Sequence, residues 1–222
     1  MNAAAPAQRS QVLTLVDDAR AARAALAISS ALAQLVQREL QVVYVENAAA
    51  LAAAALPVTQ VLAAASAHWA PLAPLDVEQA WRLEADRLRV LAEQASLQRA
   101  VHWSMRVMRG RLADAARTLM PQCDLLMLAG AAPQFALTEQ RPPCRTVVAV
   151  DDGSPAGTQA VQLATRLAQV LGARIQRQPV RAGAAWTLSG PADLLVLPYG
   201  LQAAHDASGR PRQATLLVGA AD

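Results

Sequence analysis

A short apolar run that ends on paired aspartates occurs twice in this chain, and an amphipathic stretch follows it each time. The first is Gln11-Val-Leu-Thr-Leu-Val16 ahead of Asp17-Asp18, and the second is Thr146-Val-Val-Ala-Val150 ahead of Asp151-Asp152. After the first pair, Leu26, Ile28, Leu32 and Leu35 recur at helical spacing within Ala19 to Glu39, and Leu40-Gln-Val-Val-Tyr-Val45 is the next strand. Strand, helix and strand with joints this short make a βαβ unit, whose strands are parallel and whose crossover is right-handed.

The remaining elements extend this pattern. Asp76, with Gln79 three residues on, is the expected N-cap of a helix carrying Val77, Trp81, Leu88, Leu91 and Ala95 along one stripe. Val101, Trp103, Met105 and Val107 alternate with His102, Ser104 and Arg106 as in a strand with one wetter face, which Gly110 breaks. Arg111 to Met120 is a short helix stopped by Pro121, and Asp124-Leu-Leu-Met-Leu128 is a buried strand ending at Gly130. The sum is an α/β layer fold with four parallel strands in the first part. In the second part Ser154 and Pro155 supply an N-cap and an N1 proline, Val161, Leu163, Leu167 and Leu171 form the helical stripe, and Gly172 closes it. Ala192-Asp-Leu-Leu-Val-Leu197 echoes Cys123-Asp-Leu-Leu-Met-Leu128, and Ala214-Thr-Leu-Leu-Val218 is the last strand. Asp17 and Asp151 lie nearly twice as far apart as Asp124 and Asp193, so the second copy is shortened by about one helix–strand–helix section. The expected units are 1–144 and 145–222, packed intimately.

Composition excludes several chemistries. All 20 basic residues are arginine, so no Schiff-base, P-loop or kinase-type lysine exists. The net charge is only +3, and the arginines alternate with acids, as in Arg82, Glu84, Asp86, Arg87, Arg89 and Glu93, which is a solvated helix face and not a nucleic-acid surface. Cys123 and Cys144 have neither CxxC spacing nor a histidine cluster, which suits a reducing, cytoplasmic setting without zinc or disulfide. Met1 to Arg9 lacks the pattern of a signal peptide. Asn47 to Leu75 carries no charge, yet Pro57, Pro71 and Pro74 and its alanine content leave it short of a spanning helix, so no membrane insertion is expected. His68, His102 and His205 share no spacing, and Ser10, Ser29 and Ser189 lack a nucleophile-elbow context. No catalytic set and no metal site are expected, so the chain does not read as an enzyme.

The order and duplication of elements resemble a tandem universal stress protein with a degenerate second half. The carriers are Thr146-Val-Val-Ala-Val-Asp-Asp-Gly-Ser-Pro155 with the helix Gly157 to Leu171, the Arg109-Gly-Arg-Leu-Ala-Asp-Ala-Ala116 turn into a helix, and the repeated Asp-Leu-Leu strands. The resemblance covers nearly the whole chain. It implies a five-stranded parallel α/β sheet in each full unit, dimers or tandem pseudo-dimers, and in many members ATP bound between the ends of the first and fourth strands. The implied contacts here begin with Asp17 and Asp151. The family's Gly-x2-Gly-x9-Gly-Ser/Thr loop, whose backbone N–H groups close around phosphates, is eroded in both copies. Ala129-Gly-Ala-Ala-Pro-Gln-Phe135 keeps one glycine, and Pro198-Tyr-Gly-Leu201 puts proline where the first glycine belongs. Phe135 to Arg145, with Pro142-Pro143, is a poor strand, so either the first unit lacks a fifth strand or Arg145 to Val150 serves in its place.

The aspartate pairs have two other readings. A response-regulator receiver needs a lysine that is absent. Alternatively, the side chains simply cap the helices that follow, as Ser154 would. The uncharged segment has Leu51, Leu56, Val61 and Leu62 placed to give short helices an apolar face, which either folds back on its own chain or meets a partner. Trp81 and Trp103 are expected in the core, and Trp69 either there or on a partner surface. The resulting expectation is a cytoplasmic, non-catalytic scaffold or regulator of stress-protein type that needs no cofactor and acts as a homodimer or on a protein partner. The alternative is an ATP- or AMP-binding sensor using Asp17, Asp18, Gly130, Asp151, Asp152 and Ser154. A third option, an enzyme with a substrate pocket at the strand ends, lacks an acid/base constellation.

Overall fold

The computed structural model describes residues 11–63, 68–130, 144–181, 186–201 and 213–219. Its elements are β1 (Gln11–Val16), α1 (Ala19–Val36), β2 (Glu39–Asn47), α2 (Ala48–Ala54), β3 (Gln60–Ala63), β4 (His68–Pro71), α3 (Pro74–Leu97), β5 (Trp103–Gly110), α4 (Leu112–Leu119), β6 (Leu125–Leu128), β7 (Thr146–Asp151), α5 (Pro155–Leu171), β8 (Arg174–Pro179), β9 (Leu194–Pro198) and β10 (Ala214–Val218). Eight strands form one sheet in the order β5-β2-β1-β6-β10-β9-β7-β8, and β3 and β4 form a separate hairpin.

The sheet is α/β and mostly parallel, as expected. β5-β2-β1-β6 is one parallel block and β10-β9-β7-β8 another. The blocks join where β10 pairs antiparallel with β6, with Thr215 opposite Leu128 and Val218 opposite Leu125. β7 lies between β9 and β8, so Arg145 to Val150 does not take the place beside β6, which β10 fills.

Strand alternation divides the core into two layers. Val12, Val42, Met127, Ala149 and Val196 face the layer shared with α1, α3 and α5, whereas Leu13, Val43, Leu126, Val148, Leu195 and Leu217 face α4. Alanines on α1 (Ala21, Ala22, Ala25) are buried, and small side chains let a helix sit close to the sheet. Thr14, in the middle of β1, is fully buried and donates its hydroxyl to Ser29 on α1 at 2.7 Å, so its burial leaves no unpaired group. Among the described residues, no helix is long and apolar enough to cross a membrane.

Local expectations fail in the uncharged segment. It forms one seven-residue helix and an antiparallel hairpin, with Val61 opposite Ala70 and Leu62 opposite Trp69, where short helices were expected. β-branched Thr59 and Val61 and the prolines at 57 and 71 interrupt the alanine run, and both favour extended backbone over helix. α3 begins at Pro74 after Ala73, so Asp76 is not the N-cap. Its carboxylate instead reaches back from the third helical position to accept the Ala73 N–H at 3.0 Å. Trp81 is buried, Trp103 is half-buried, and Trp69 is 60% exposed and so outside the core.

Candidate functional site at the strand ends

In an open α/β sheet, ligands bind beyond the carboxyl ends of strands where connections diverge to either side. Two such points exist here, β1/β6 and β7/β9. Leu15 lies opposite Leu128, so Asp17 and Gly130 leave the sheet side by side. Because the second block runs the other way, Asp151, Asp152 and Ser154 leave at the opposite edge with Pro198. The six expected residues therefore form two separate sites.

At the first edge, Asp18 is the N-cap of α1, and its Oδ1 accepts the Arg20 N–H at 2.7 Å. Glu84, arriving from α3, accepts the Ala19 N–H at 2.5 Å. The start of a helix offers free N–H donors and a positive dipole end to an anion, and here two carboxylates of the chain already occupy it. Nearby, Glu46 pairs with Arg109 at 2.9 Å, and the Arg109 guanidinium stands 5.3 Å from the centre of the Trp81 ring. The Tyr44 phenol is pushed up to about 12, first by burial and then by the charges of Glu84, Glu46, Asp17 and Asp18. Gly130 has a packing reason to be glycine: a Cβ there would stand 2.2 Å from the Gln213 carbonyl carbon, where the chain enters β10.

At the second edge, buried Asp151 accepts the Gly153 N–H at 3.0 Å and pairs with Arg177 of β8. The Gly153 N–H, followed by Arg177, holds its carboxyl below the usual range. Asp152 Oδ1 accepts the Ser154 N–H at 3.0 Å and the Ser154 hydroxyl at 2.6 Å. Ser154 Oγ in turn accepts the Gly157 N–H at 2.9 Å, which makes it the N-cap of α5. Gly157 is also held to glycine by packing, since a Cβ would meet Asp152 Oδ1 at 2.3 Å. Pro198 ends β9 without an N–H to offer. Two of the residues the sequence proposed as ligands, Asp18 and Ser154, are instead the side-chain caps of α1 and α5.

Sequence reasoning did not find Glu84, Arg177 or the Arg109–Glu46–Trp81 group as members of these sites. Glu84 sits in a run of alternating charges and meets Ala19 from 65 positions away, so no local pattern marks it. Burial raises the thiols of Cys123 and Cys144 to about 12, with Asp124 and Asp193 adding to the shift, and both stay protonated at neutral pH. Among the described residues, no three histidine, cysteine or acidic side chains gather as a metal site.

Of the expected partner-surface residues, Leu56, Val61, Leu62 and Trp69 are exposed on and beside the hairpin, whereas Leu51 packs partly against the core. Leu75, at the start of α3, adds to the exposed set. No protein-family model matches this sequence, and no curated protein is similar to it.

Proposed function

We propose that the protein is a non-catalytic, stress-protein-type regulator built from two unequal α/β units, and that it acts through a protein contact on the β3–β4 hairpin. One observation carries this reading. Asp18, Glu84 and Ser154 at the strand ends are spent on the chain's own helix starts, while Leu62 and Trp69, paired across the hairpin, are left in solvent side by side, with Leu56 and Val61 exposed near them. Large apolar side chains grouped on a surface are a mark of interaction sites. The strand order, with β2 and β6 on either side of β1 and β8 and β9 on either side of β7, supports the universal-stress resemblance. The two buried, protonated thiols suit a reducing cytoplasm.

The test joins light scattering after size exclusion with calorimetry. The wild-type chain is expected to dimerise with rising concentration or to hold a protein partner, and Trp69→Glu with Leu62→Glu to abolish that association while the fold persists. Mg-ATP titrated into nucleotide-free protein is expected to give no saturable heat. Saturable binding near one ATP per chain, with Asp17→Ala abolishing it, would replace this reading with the sensor.

A further inference from the structure

We propose that the cleft between α1 and α5 is a binding site for a small monocarboxylate with an apolar body. The cleft is open to solvent and has a volume of about 650 Å³, within the range of small-molecule sites. It lies over the seam of the sheet, where β6 and β10 meet, on the edge that also carries the second turn, and Asp151, Asp152 and Ser154 do not line it. Its walls are the last turn of α1 and one stripe of α5, Gln159, Gln162, Leu163 and Arg166, at the spacing that puts side chains on one helix face. Leu125 and Val218 form an apolar floor, both buried from the sides by the sheet.

The charge in the cleft selects the ligand. Arg38 is already matched, its Nη1 standing 3.0 Å from Asp124 Oδ2. Arg166 is exposed and has no ion pair or hydrogen bond among the described residues. One guanidinium charge is therefore left above an apolar floor, and a single carboxylate neutralises it through a charge-assisted fork. The amides of Gln159 and Gln162 stand on the same stripe and offer further donors.

A second observation concerns the rim. Gln37 holds φ 54 and ψ 48, the left-handed conformation that closes α1. At the matching position of α5 the chain uses Gly172, with φ 64 and ψ 28. Glycine takes this conformation without strain and glutamine does not. The chain thus keeps an amide side chain on the cleft rim at a position where glycine is the easier choice.

The probe is octanoate, followed by calorimetry and by amide chemical shifts of α1 and α5, with octanamide and inorganic phosphate as controls. Octanoate is expected to saturate with a Kd on the order of 1 mM or tighter. Arg166→Met should weaken it about ten-fold, the loss of one charge-assisted contact, and Leu163→Ser should weaken octanoate and octanamide alike. Arg20→Met, at the far end of α1, should change neither. Arg166 is exposed, so its variant is expected to retain the wild-type circular dichroism spectrum. Absence of saturation in the wild type, or an Arg166→Met affinity equal to the wild type's, would overturn the site. Phosphate binding as tightly as octanoate, with the same Arg166 dependence, would overturn the assignment of an apolar body.

Discussion

The β1–α1 and β7–α5 turns carry the same pair of aspartates and satisfy them differently. At the first, Asp18 is itself the cap and Glu84 of α3 adds a second carboxylate to the helix start. At the second, the chain inserts Gly153 at φ 78 and Ser154, the hydroxyl becomes the cap, and Asp151 turns to Arg177 on the neighbouring strand. The outer strands show the same contrast. Arg177 on β8 has Asp151 as partner, whereas Arg106 on β5 has Nε and Nη2 buried with no hydrogen bond. What an aspartate pair does is decided by the long-range elements that reach it. α3 supplies a carboxylate in one block, and an edge-strand guanidinium neutralises one in the other.

The sharpest break in this comparison is at Gly130, since it concerns the join between the blocks. A Cβ at this position would stand 2.2 Å from Gln213 C and 2.6 Å from Ala214 N, both backbone atoms that cannot rotate aside. Gly130→Ala must push the start of β10 off β6 and loosen the antiparallel pairing of Thr215 with Leu128. We expect a loss of about 3 kcal/mol, at the upper end for overpacking, read as a lower urea midpoint. Gly157→Ala should cost less, because the atom it meets is the end of the Asp152 side chain. Equal losses would mean that the seam is no more rigid than the turn.

Asp151 separates the two edges by pH. Its carboxyl is held below the ordinary value by the Gly153 N–H and Arg177. The unfolded chain, with a carboxyl at about 3.9, then binds more protons than the folded one between the two values, so stability rises with pH in that window. The contribution is complete above the unfolded value and disappears as pH falls through the folded one. Asp151→Asn is expected to cost about 1–2 kcal/mol at pH 7, the low end for hydrogen bonds to a charged group because the Arg177 guanidinium is largely exposed and screened. The deficit should shrink in denaturation curves taken toward pH 3. A deficit that stays constant with pH would assign the loss to packing.

How legible these differences were follows from where the information lies. β1, α1, β2, α5 and β10 announce themselves through apolar periodicity, and Ser154-Pro155 and Gly172 mark the ends of α5 from local chemistry. β8 did not stand out. Its Arg174-Ile-Gln-Arg-Gln-Pro179 is polar and mostly exposed, because as an edge strand it is held chiefly by backbone pairing with β7. The hairpin was hidden by alanine, which fits helix composition and carries little face information. At the strand ends the residues were found but their partners were not, since Glu84 and Arg177 come from elements whose position only the sheet order determines. The same holds for Gly130, the one glycine left of the phosphate loop that the resemblance implied, whose reason is the backbone at Gln213.

The smallest effect tests whether the two caps differ as their partners do. Ser154→Ala removes the acceptor of the Gly157 N–H and the hydroxyl that Asp152 accepts, leaving two groups to re-solvate. Asp18→Ala frees the Arg20 N–H, while the Glu84 carboxylate stays on Ala19 and keeps a negative charge at the helix start. Losses of about 1 kcal/mol for Ser154→Ala and about 0.5 kcal/mol for Asp18→Ala follow. Adding Glu84→Gln to Asp18→Ala should cost more than the two single changes together, because each carboxylate covers the helix start when the other is missing. Thermal unfolding of the four variants at one pH measures this directly. Additive losses would mean that Glu84 merely fastens α3 to Ala19, and the first helix start would then depend on Asp18 alone, as the second does on Ser154.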